Sequence, residues 1–121
     1  MEVNCAFNNL TVLTVNNANA LDCGFNQLTS LNIGNAVSIT KLYCNSNQLT
    51  TLDISANISL TDLDFSSNSL TSIDFSSNKL LTTLRCAYNY LNLQNNSILS
   101  DQIEVIENRD RSMISSRPQK N

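Results

Sequence analysis

The sequence predicts a mainly β solenoid with two short parallel β-sheets and a short C-terminal capping helix. Three observations lead to this prediction: a hydrophobic phrase that recurs about every 21 residues, the doubling of that phrase within each period, and a scarcity of turn-forming residues. The 121 residues include 2 Gly and 1 Pro, too few for the hairpins of a β-sandwich. A chain of this length is expected to form one domain.

The recurring phrase reads L-x-C-x-x-N-x-L. Its five starts are 18, 21, 21 and 21 residues apart, at Val3, Leu21, Leu42, Leu63 and Leu84. A second phrase, L-x-I-x-x-N-x-x-L, follows within the period, as in LDISANISL (52–60). Self-similarity at this period indicates stacked repeats, each of which buries its inner face only against its neighbours.

The two phrases predict two strands per repeat, on opposite walls of a flattened coil. In L-x-C the two outer residues share one face of a strand, and the residue between them faces the other way. Successive coils would stack at about 4.8 Å, the spacing of hydrogen-bonded strands. The doubled phrase therefore gives two parallel sheets, one on each wall.

On these motifs the sequence resembles the bacterial leucine-rich repeat proteins of the nested 21-residue (IRREKO-like) type. The phrase LYCNSNQLTTLDIS (42–55) is typical of that class, and the resemblance covers residues 3 to 99. It implies the solenoid fold, a general binding role and a cell-surface or secreted location. It implies no catalytic residues.

Stacking places four cysteines and one phenylalanine in a single inward column, formed by Cys5, Cys23, Cys44, Phe65 and Cys86. Zinc sites pair cysteines two to four residues apart, which this spacing does not match. In-register parallel side chains also strain a disulfide between adjacent coils. We therefore interpret the column as core, with Cys acting as a small buried hydrophobe. Phe75 is expected to meet Phe65 from the opposite wall of the same coil.

Asparagines form two further columns, at the corners of the coil. The first contains Asn8, Asn26, Asn47, Asn68 and Asn89, and the second contains Asn57, Asn78 and Asn96. An Asn amide offers two donors and an acceptor, so we predict ladders that bond the backbone at each corner and in the next coil. The hydroxyls of two threonine columns are predicted to bond backbone as well: Thr11, Thr29, Thr50 and Thr71, and Thr40, Thr61 and Thr82.

The outward side chains do not assemble a catalytic site. Asp53 and Asp74 would lie roughly 5 Å apart on adjacent coils, a separation that suits paired carboxylates. A flat wall has no pocket and the chain has 0 His, so we predict no enzymatic activity, cofactor or metal. We interpret Asp53 and Asp74 as solvated strand residues.

The net charge of −3 argues against nucleic-acid binding. No apolar run reaches the ~18–20 residues of a membrane helix, and no signal peptide is visible.

Exposed aromatic residues mark the predicted partner-binding surface. Phe7, Phe25 and Tyr88 occupy the corner position just before the ladder Asn, where the middle repeats have Ser46 and Ser67. Interfaces are enriched in aromatic residues, so we predict that a protein or glycan partner binds here. The predicted contact residues are Phe7, Phe25, Tyr43, Arg85, Tyr88 and Tyr90. An alternative explanation for Phe7 and Phe25 is that a preceding N-terminal cap covers them, rather than a binding partner.

The predicted organisation is a solenoid over 1–99, a C-terminal cap over 100–109 and a flexible polar tail over 110–121. Ser100 would cap the helix with Asp101 in its first turn, and Leu99, Ile103 and Ile106 recur at near-helical spacing. The first strand begins at residue 3 with no visible cover for its edge. The alternative function is therefore a structural subunit or segment of a larger assembly, docking through this N-terminal edge to an additional chain.

Overall fold

The computed structural model describes residues 1–93, 97–109, 113–116 and 118–120. Within these ranges the secondary structure consists of short parallel strands and one helix. In chain order the elements are β1 (Glu2–Asn4), β2 (Val12–Thr14), β3 (Ala20–Asp22), β4 (Ser30–Asn32), β5 (Lys41–Tyr43), β6 (Asp62–Asp64), β7 (Thr83–Arg85), α1 (Ser97–Glu107) and β8 (Met113–Ser115).

The first wall of the solenoid is a six-stranded parallel sheet in the order β1-β3-β5-β6-β7-β8. Its register pairs Val3 with Leu21, Leu21 with Leu42, Leu42 with Leu63 and Leu63 with Leu84. These are the phrase starts read from the sequence, so the predicted alignment of the repeats is confirmed.

The second wall carries a two-stranded parallel sheet, β2 paired with β4, with Leu13 opposite Leu31. The prediction of two parallel sheets is confirmed, but the expected second strand does not form in the third and fourth coils. The segments 51–54 and 72–75 keep their inward residues buried without strand pairing to a neighbour. Inward and outward residues alternate in these two segments as they do in β6. The sequence does not explain why β6 pairs with its neighbours and these segments do not.

The inward column of the first wall is core, as predicted. The side chains of Cys23, Cys44, Phe65 and Cys86 are all 0% exposed. Phe75 meets Phe65 from the second wall, with ring centroids 6.3 Å apart. In the first coil Val3, Cys5, Leu10 and Leu13 are only partly buried, because in the described structure a neighbouring coil packs on one side of them alone.

The arc from the Cys to the second Leu of the first phrase, which we call the first corner, is held by a ladder of Asn amides. Asn47 Nδ2 donates to Cys44 O in its own coil and to Cys23 O in the preceding coil, both at 3.1 Å. Its Oδ1 accepts the backbone N–H of Leu28 at 2.9 Å. Three other ladder residues repeat this pattern: Asn26, Asn68 and Asn89. The predicted ladder is therefore confirmed as a bond between coils.

The turn that follows the second wall, which we call the second corner, has a partial ladder. Asn57 Nδ2 donates to Ile33 O and Ala36 O of the preceding coil, both at 3.0 Å, and Asn78 Nδ2 donates in the same way to Ile54 O and Asn57 O. The Oδ1 atoms of both residues are buried without a donor among the described residues. Ala18 and Ala36 take the ladder position in the first two coils. Asn96 lies outside the described residues.

Threonine hydroxyls add further bonds between coils. Thr40 Oγ1 donates to Asn19 O at 3.2 Å, and Thr61 Oγ1 donates to Thr40 O at 3.1 Å. Thr29 Oγ1 reaches Thr11 O at 3.3 Å on the other arc. The predicted backbone role is confirmed for these three residues.

Helix α1 begins at Ser97, three residues before the predicted cap, and its buried face carries Leu99, Ile103 and Ile106 as expected. Ser100 lies inside the helix, and its hydroxyl donates to Leu93 O. The prediction that Ser100 caps the helix is therefore wrong, because the first turn forms upstream of it.

Part of 110–121, where the sequence predicts a flexible polar tail, forms the strand β8. β8 pairs in parallel with β7, with Ile114 opposite Leu84, and Cys86 N donates to Ser115 O at 2.7 Å. The edge of β7 presents backbone donors and acceptors that need partners, and β8 supplies them.

Gln119 completes the first-corner ladder beyond Asn89. Its Oε1 accepts the backbone N–H groups of Asn89 and Leu91, both at 3.2 Å. Its Nε2 donates to Cys86 O at 2.9 Å and also to Ser116 O. These are the acceptor and donor roles that Asn47 performs between its own coil and the one before it. The segment 113–120 thus closes the solenoid by imitating a further repeat.

Candidate recognition surface

The residue just before each ladder Asn is held in the left-handed backbone region. These φ angles lie between 55 and 58°, at Phe7, Phe25, Ser46, Ser67 and Tyr88. The conformation costs roughly 1–2 kcal/mol for an L-residue, and Gly, Asn or Asp tolerate it best. Each coil accepts this cost because the bend aims the following Asn into the corner. The position is therefore dictated by the fold, whereas its aromatic occupants are not.

Phe7 and Phe25 form a stacked pair on this corner. Their ring centroids are 4.5 Å apart and their planes differ by 5°. The side chains are 76% and 49% exposed. The stack contributes about 0.5–1.5 kcal/mol, which offsets part of the backbone strain but leaves a large apolar surface in water.

Tyr88 and Tyr90 share the same corner in the fifth coil, 52% and 45% exposed. Lys120 Nζ lies 5.2 Å from the centroid of the Tyr90 ring, and the Tyr88 N–H donates to Pro118 O at 2.6 Å. The segment that closes the solenoid therefore already contacts this patch. Tyr88 presents the more open ring of the two.

Tyr43 and Arg85 lie on a different face, the outward side of the first wall. The register places them in one column with Asp22 before Tyr43 and Asp64 between Tyr43 and Arg85. Tyr43 is half-buried and Arg85 is exposed. The structure thus brings together Phe7 with Phe25, and Tyr88 with Tyr90, but it separates Tyr43 and Arg85 from both pairs.

Asp53 and Asp74 are exposed, as predicted, but they lie outside the strands and stabilise turns, so their interpretation as strand residues is wrong. Asp53 Oδ1 accepts the Ser55 hydroxyl at 2.6 Å and the Ser55 N–H at 3.0 Å, and these bonds lower the pKa of the carboxyl. Asp74 Oδ1 accepts the Ser76 N–H and Gln102 Nε2, both at 2.9 Å, and its pKa is lowered likewise. A general acid needs a raised pKa, so neither carboxyl is adapted to that role.

The thiols of the inward column are free, and burial suppresses their ionisation. Burial raises the pKa of Cys23 and of Cys86 to about 12, and raises the pKa of Cys44 well above its ordinary value. The thiolate is the form that attacks electrophiles and binds metals. These side chains consequently serve packing.

A second concave surface lies between α1 and the second corner of the fourth coil. This groove of about 430 Å³ is lined by Phe75, Lys79, Val105, Arg109 and neighbouring residues. Arg109 Nη1 already donates to Asn78 O at 2.8 Å and to Leu81 O at 2.6 Å, so its guanidinium anchors the helix to the coil.

Sequence reasoning missed Gln119 and Lys120, which close the corner next to Tyr88 and Tyr90. A signal was present in ISSRPQ (114–119), which repeats the spacing of L-x-C-x-x-N with Ile, Ser and Gln in place of Leu, Cys and Asn. Three conservative replacements in one phrase made that spacing hard to recognise.

The stacked coils, parallel sheets and corner ladder define a leucine-rich-repeat solenoid, a fold typical of protein-binding modules. No protein-family model matches the sequence, and no curated protein matches it. A solved structure with the same fold is the functional domain of InlJ from Listeria monocytogenes, described as including a cysteine ladder. The two are 36% identical with a TM-score of 0.62, over 75% of this chain and 23% of that chain. Among the described residues, no helix has the length and apolar character needed to cross a bilayer.

Proposed function

We propose that the chain is a non-enzymatic recognition module that binds a protein or glycan through the first corner of its solenoid. The observation that carries this proposal is the Phe7–Phe25 stack, two exposed aromatic residues in a strained backbone conformation. A cell-surface or secreted location accompanies the proposal, and the likeness to a Listeria internalin-type structure supports it.

The fold does not require aromatic rings at the first corner. Ser46 and Ser67 occupy the same backbone position in the third and fourth coils, so the solenoid does not need an aromatic ring there. Phe at this position adds exposed apolar area without filling the core. An exposed aromatic cluster without a packing role is typical of an interaction site.

The test compares two variants that remove side chains from different faces. Ligands would first be selected on the wild-type protein from a displayed random-peptide library and from an immobilised glycan panel. We expect Phe7→Ser/Phe25→Ser to lose these ligands, and Tyr43→Ala/Arg85→Ala to keep them, with circular dichroism reporting the fold of each. Equal retention by both variants would remove the corner as the site.

A second candidate function, docking into a larger assembly through the N-terminal edge, is favoured by the first coil. Val3, Cys5 and Leu10 are partly exposed there. Asn8 Nδ2 donates to Cys5 O at 2.9 Å and Ala6 O at 3.2 Å, both in its own coil, whereas the later ladder residues also reach a preceding coil. Light scattering over a range of concentrations tests this idea. A monomer at every concentration would count against self-assembly through the edge.

A further inference from the structure

We propose that the ligand of the first corner is a neutral glycan, bound between the Phe7–Phe25 stack and Tyr88. This inference rests on the proposed recognition function and narrows the partner from protein or glycan to an uncharged carbohydrate. Three observations carry it: the spacing of the rings, the absence of charged residues from the corner segments of the five coils, and the small area that the corner offers.

The corner residues lie on consecutive coils in a fixed register. Phe25 N donates to Asn45 O at 3.0 Å, Ser46 N to Ser66 O at 2.9 Å and Ser67 N to Ala87 O at 2.9 Å. Phe25 and Tyr88 are therefore three coils apart, about 14 Å at the spacing of hydrogen-bonded strands. The two coils between them carry only Ser46 and Ser67 at this position. This column therefore has an aromatic residue at each end and two Ser residues between them, a stretch that we call the slot.

The first corner contains no charged residue in any coil. The five segments 5–10, 23–28, 44–49, 65–70 and 86–91 lack Asp, Glu, Lys and Arg, although 14% of the chain is charged. Their polar side chains are amides and hydroxyls, which both donate and accept hydrogen bonds. Sugar hydroxyls have the same dual character. The charged groups that border the corner are already engaged within the protein: Asp64 Oδ1 accepts the Ser66 hydroxyl, and Lys120 Nζ donates to Asn68 O and lies over the Tyr90 ring.

The area of the corner fits a small ligand better than a protein. Five coils about 4.8 Å apart make a ridge roughly 20 Å long, and a width of one short turn gives an area on the order of 200 Å². A stable protein interface buries about 800 Å² on each partner. A short oligosaccharide needs far less, and the apolar face of a sugar ring can lie against an aromatic ring at either end of the slot.

The variants follow from the backbone conformation. Phe25→Asn removes the ring and places a residue better suited to the left-handed region, so it should bind less while unfolding at the same or a higher urea concentration. Phe25→Tyr retains the ring and should retain binding. Ser46→Phe adds a ring where the backbone already accepts Phe in other coils, but it fills the slot. If the ligand lies between Phe25 and Tyr88, Ser46→Phe should weaken binding because the new ring occupies the ligand's place. If the ligand binds any exposed aromatic area, Ser46→Phe should strengthen binding.

The probes are neutral oligomers of glucose, mannose, galactose and N-acetylglucosamine, with oligogalacturonate as the charged comparison. Binding is measured by shifts of the backbone amide signals of Phe25, Ser46, Ser67 and Tyr88 in NMR titrations. We expect at least one neutral oligomer to bind with Kd on the order of 1 mM or tighter. We also expect Phe25→Asn and Ser46→Phe each to weaken it by about tenfold or more, with Phe25→Tyr close to wild type.

The outcomes separate this inference from the function on which it rests. Failure of every neutral oligomer, or equal or tighter binding of oligogalacturonate, overturns the neutral glycan. If the sugars fail, but peptides from the displayed library bind the wild-type protein and do not bind the Phe25→Asn variant, the recognition function stands with a protein ligand. If both sugars and peptides fail to engage the corner, both proposals are wrong.

Discussion

The two corners of the solenoid solve the same structural problem with different completeness. At the first corner each described amide after Asn8 both donates and accepts, so that Asn68 bonds Cys44 O and Phe65 O and receives the N–H of Leu49. At the second corner Asn57 donates to two carbonyls, while its Oδ1 is buried without a donor in the described structure. Strand pairing follows the same division, with six strands on the first wall and two on the second.

The difference shows where specificity in the stacking of coils resides. A fully bonded amide is expensive to replace because its loss leaves several buried partners unsatisfied. A half-bonded amide is cheaper to replace, and Ala18 and Ala36 show that Ala fits the second-corner position. The first corner therefore fixes the register of the coils, and the second corner tolerates variation.

The largest expected effect comes from matched Asn-to-Ala substitutions at the two corners. Asn68→Ala should lower the free energy of unfolding by about 3–4 kcal/mol, because four hydrogen bonds are lost in a buried site. Asn57→Ala should cost about 1 kcal/mol, because removal of the unpaired Oδ1 offsets the loss of two bonds. Urea unfolding measures both, and equal losses would contradict the difference between the corners.

The next effect concerns the ionisation of the cysteine thiols, which lie on the first wall. Its thiols have raised pKa values in the folded state, so the unfolded chain loses its protons first. The stabilisation that each protonated thiol gives to the folded state is fully present below the ordinary pKa of 9.0. It is lost as the pH rises toward the folded-state pKa of about 12 for Cys23 and Cys86. Each thiol contributes about 1.4 kcal/mol per pH unit in that window.

The matched control for this pH effect is Cys23→Val/Cys86→Val, which retains apolar side chains at both positions. Its unfolding free energy should decline less steeply between pH 9 and 11 than that of the wild type, whatever its starting value. Parallel declines would show that the cysteine column does not determine alkaline stability.

A smaller, local effect distinguishes the two ways in which the C-terminal end is closed. Gln119 bonds Leu91 N at the first corner, and Gln102 Oε1 accepts the Phe75 N–H on the second wall at 2.9 Å. We expect Gln119→Ala to speed hydrogen exchange at Leu91 but not at Phe75, and Gln102→Ala to do the reverse, each by about 1–2 kcal/mol of local opening. Loss of protection at both amides in either variant would show that the two closures form one cooperative unit.

The smallest effect is the acid titration of a second-wall turn. Hydrogen bonds from Ser55 lower the pKa of Asp53, so its contribution is present above the unfolded value of about 3.9 and is lost as pH falls through the folded value. A carbon-detected NMR titration should place the Asp53 carboxyl below 3.8 in the wild type. In Ser55→Ala it should lie closer to 3.8, and an unchanged titration in that variant would exclude the Ser55 hydroxyl as the cause.

Much of the fold was predictable because a stacked repeat converts sequence period directly into spatial register. Leu42, Cys44 and Asn47 could be assigned to core and corner from spacing alone, since neighbouring coils repeat each environment. The closing segment was harder to predict because it conserves hydrogen-bonding roles rather than residue types. Gln119 supplies the amide with a longer side chain, and the spacing of 30 positions from Leu84 to Ile114 breaks the period.

The candidate surface was only partly predictable. Spacing placed Phe7, Phe25 and Tyr88 in one column, as the backbone angles bear out, but no sequence pattern gives the parallel stacking of the first two rings. Nor did the sequence show that Lys120 would lie over Tyr90. Side-chain contacts between a repeat and a non-repeating segment depend on where that segment folds back, which the repeat itself does not encode.

The ladder also has a direction, which bears on folding during synthesis. Each amide after Asn8 reaches back to the coil made before it, as Asn47 does to Cys23 O and Leu28 N. A coil leaving the ribosome would therefore have an incomplete corner until the next 18 to 21 residues followed it. Folding should trail translation by one coil along the solenoid. The fifth coil would wait longest, because its partner Gln119 is 30 residues beyond Asn89.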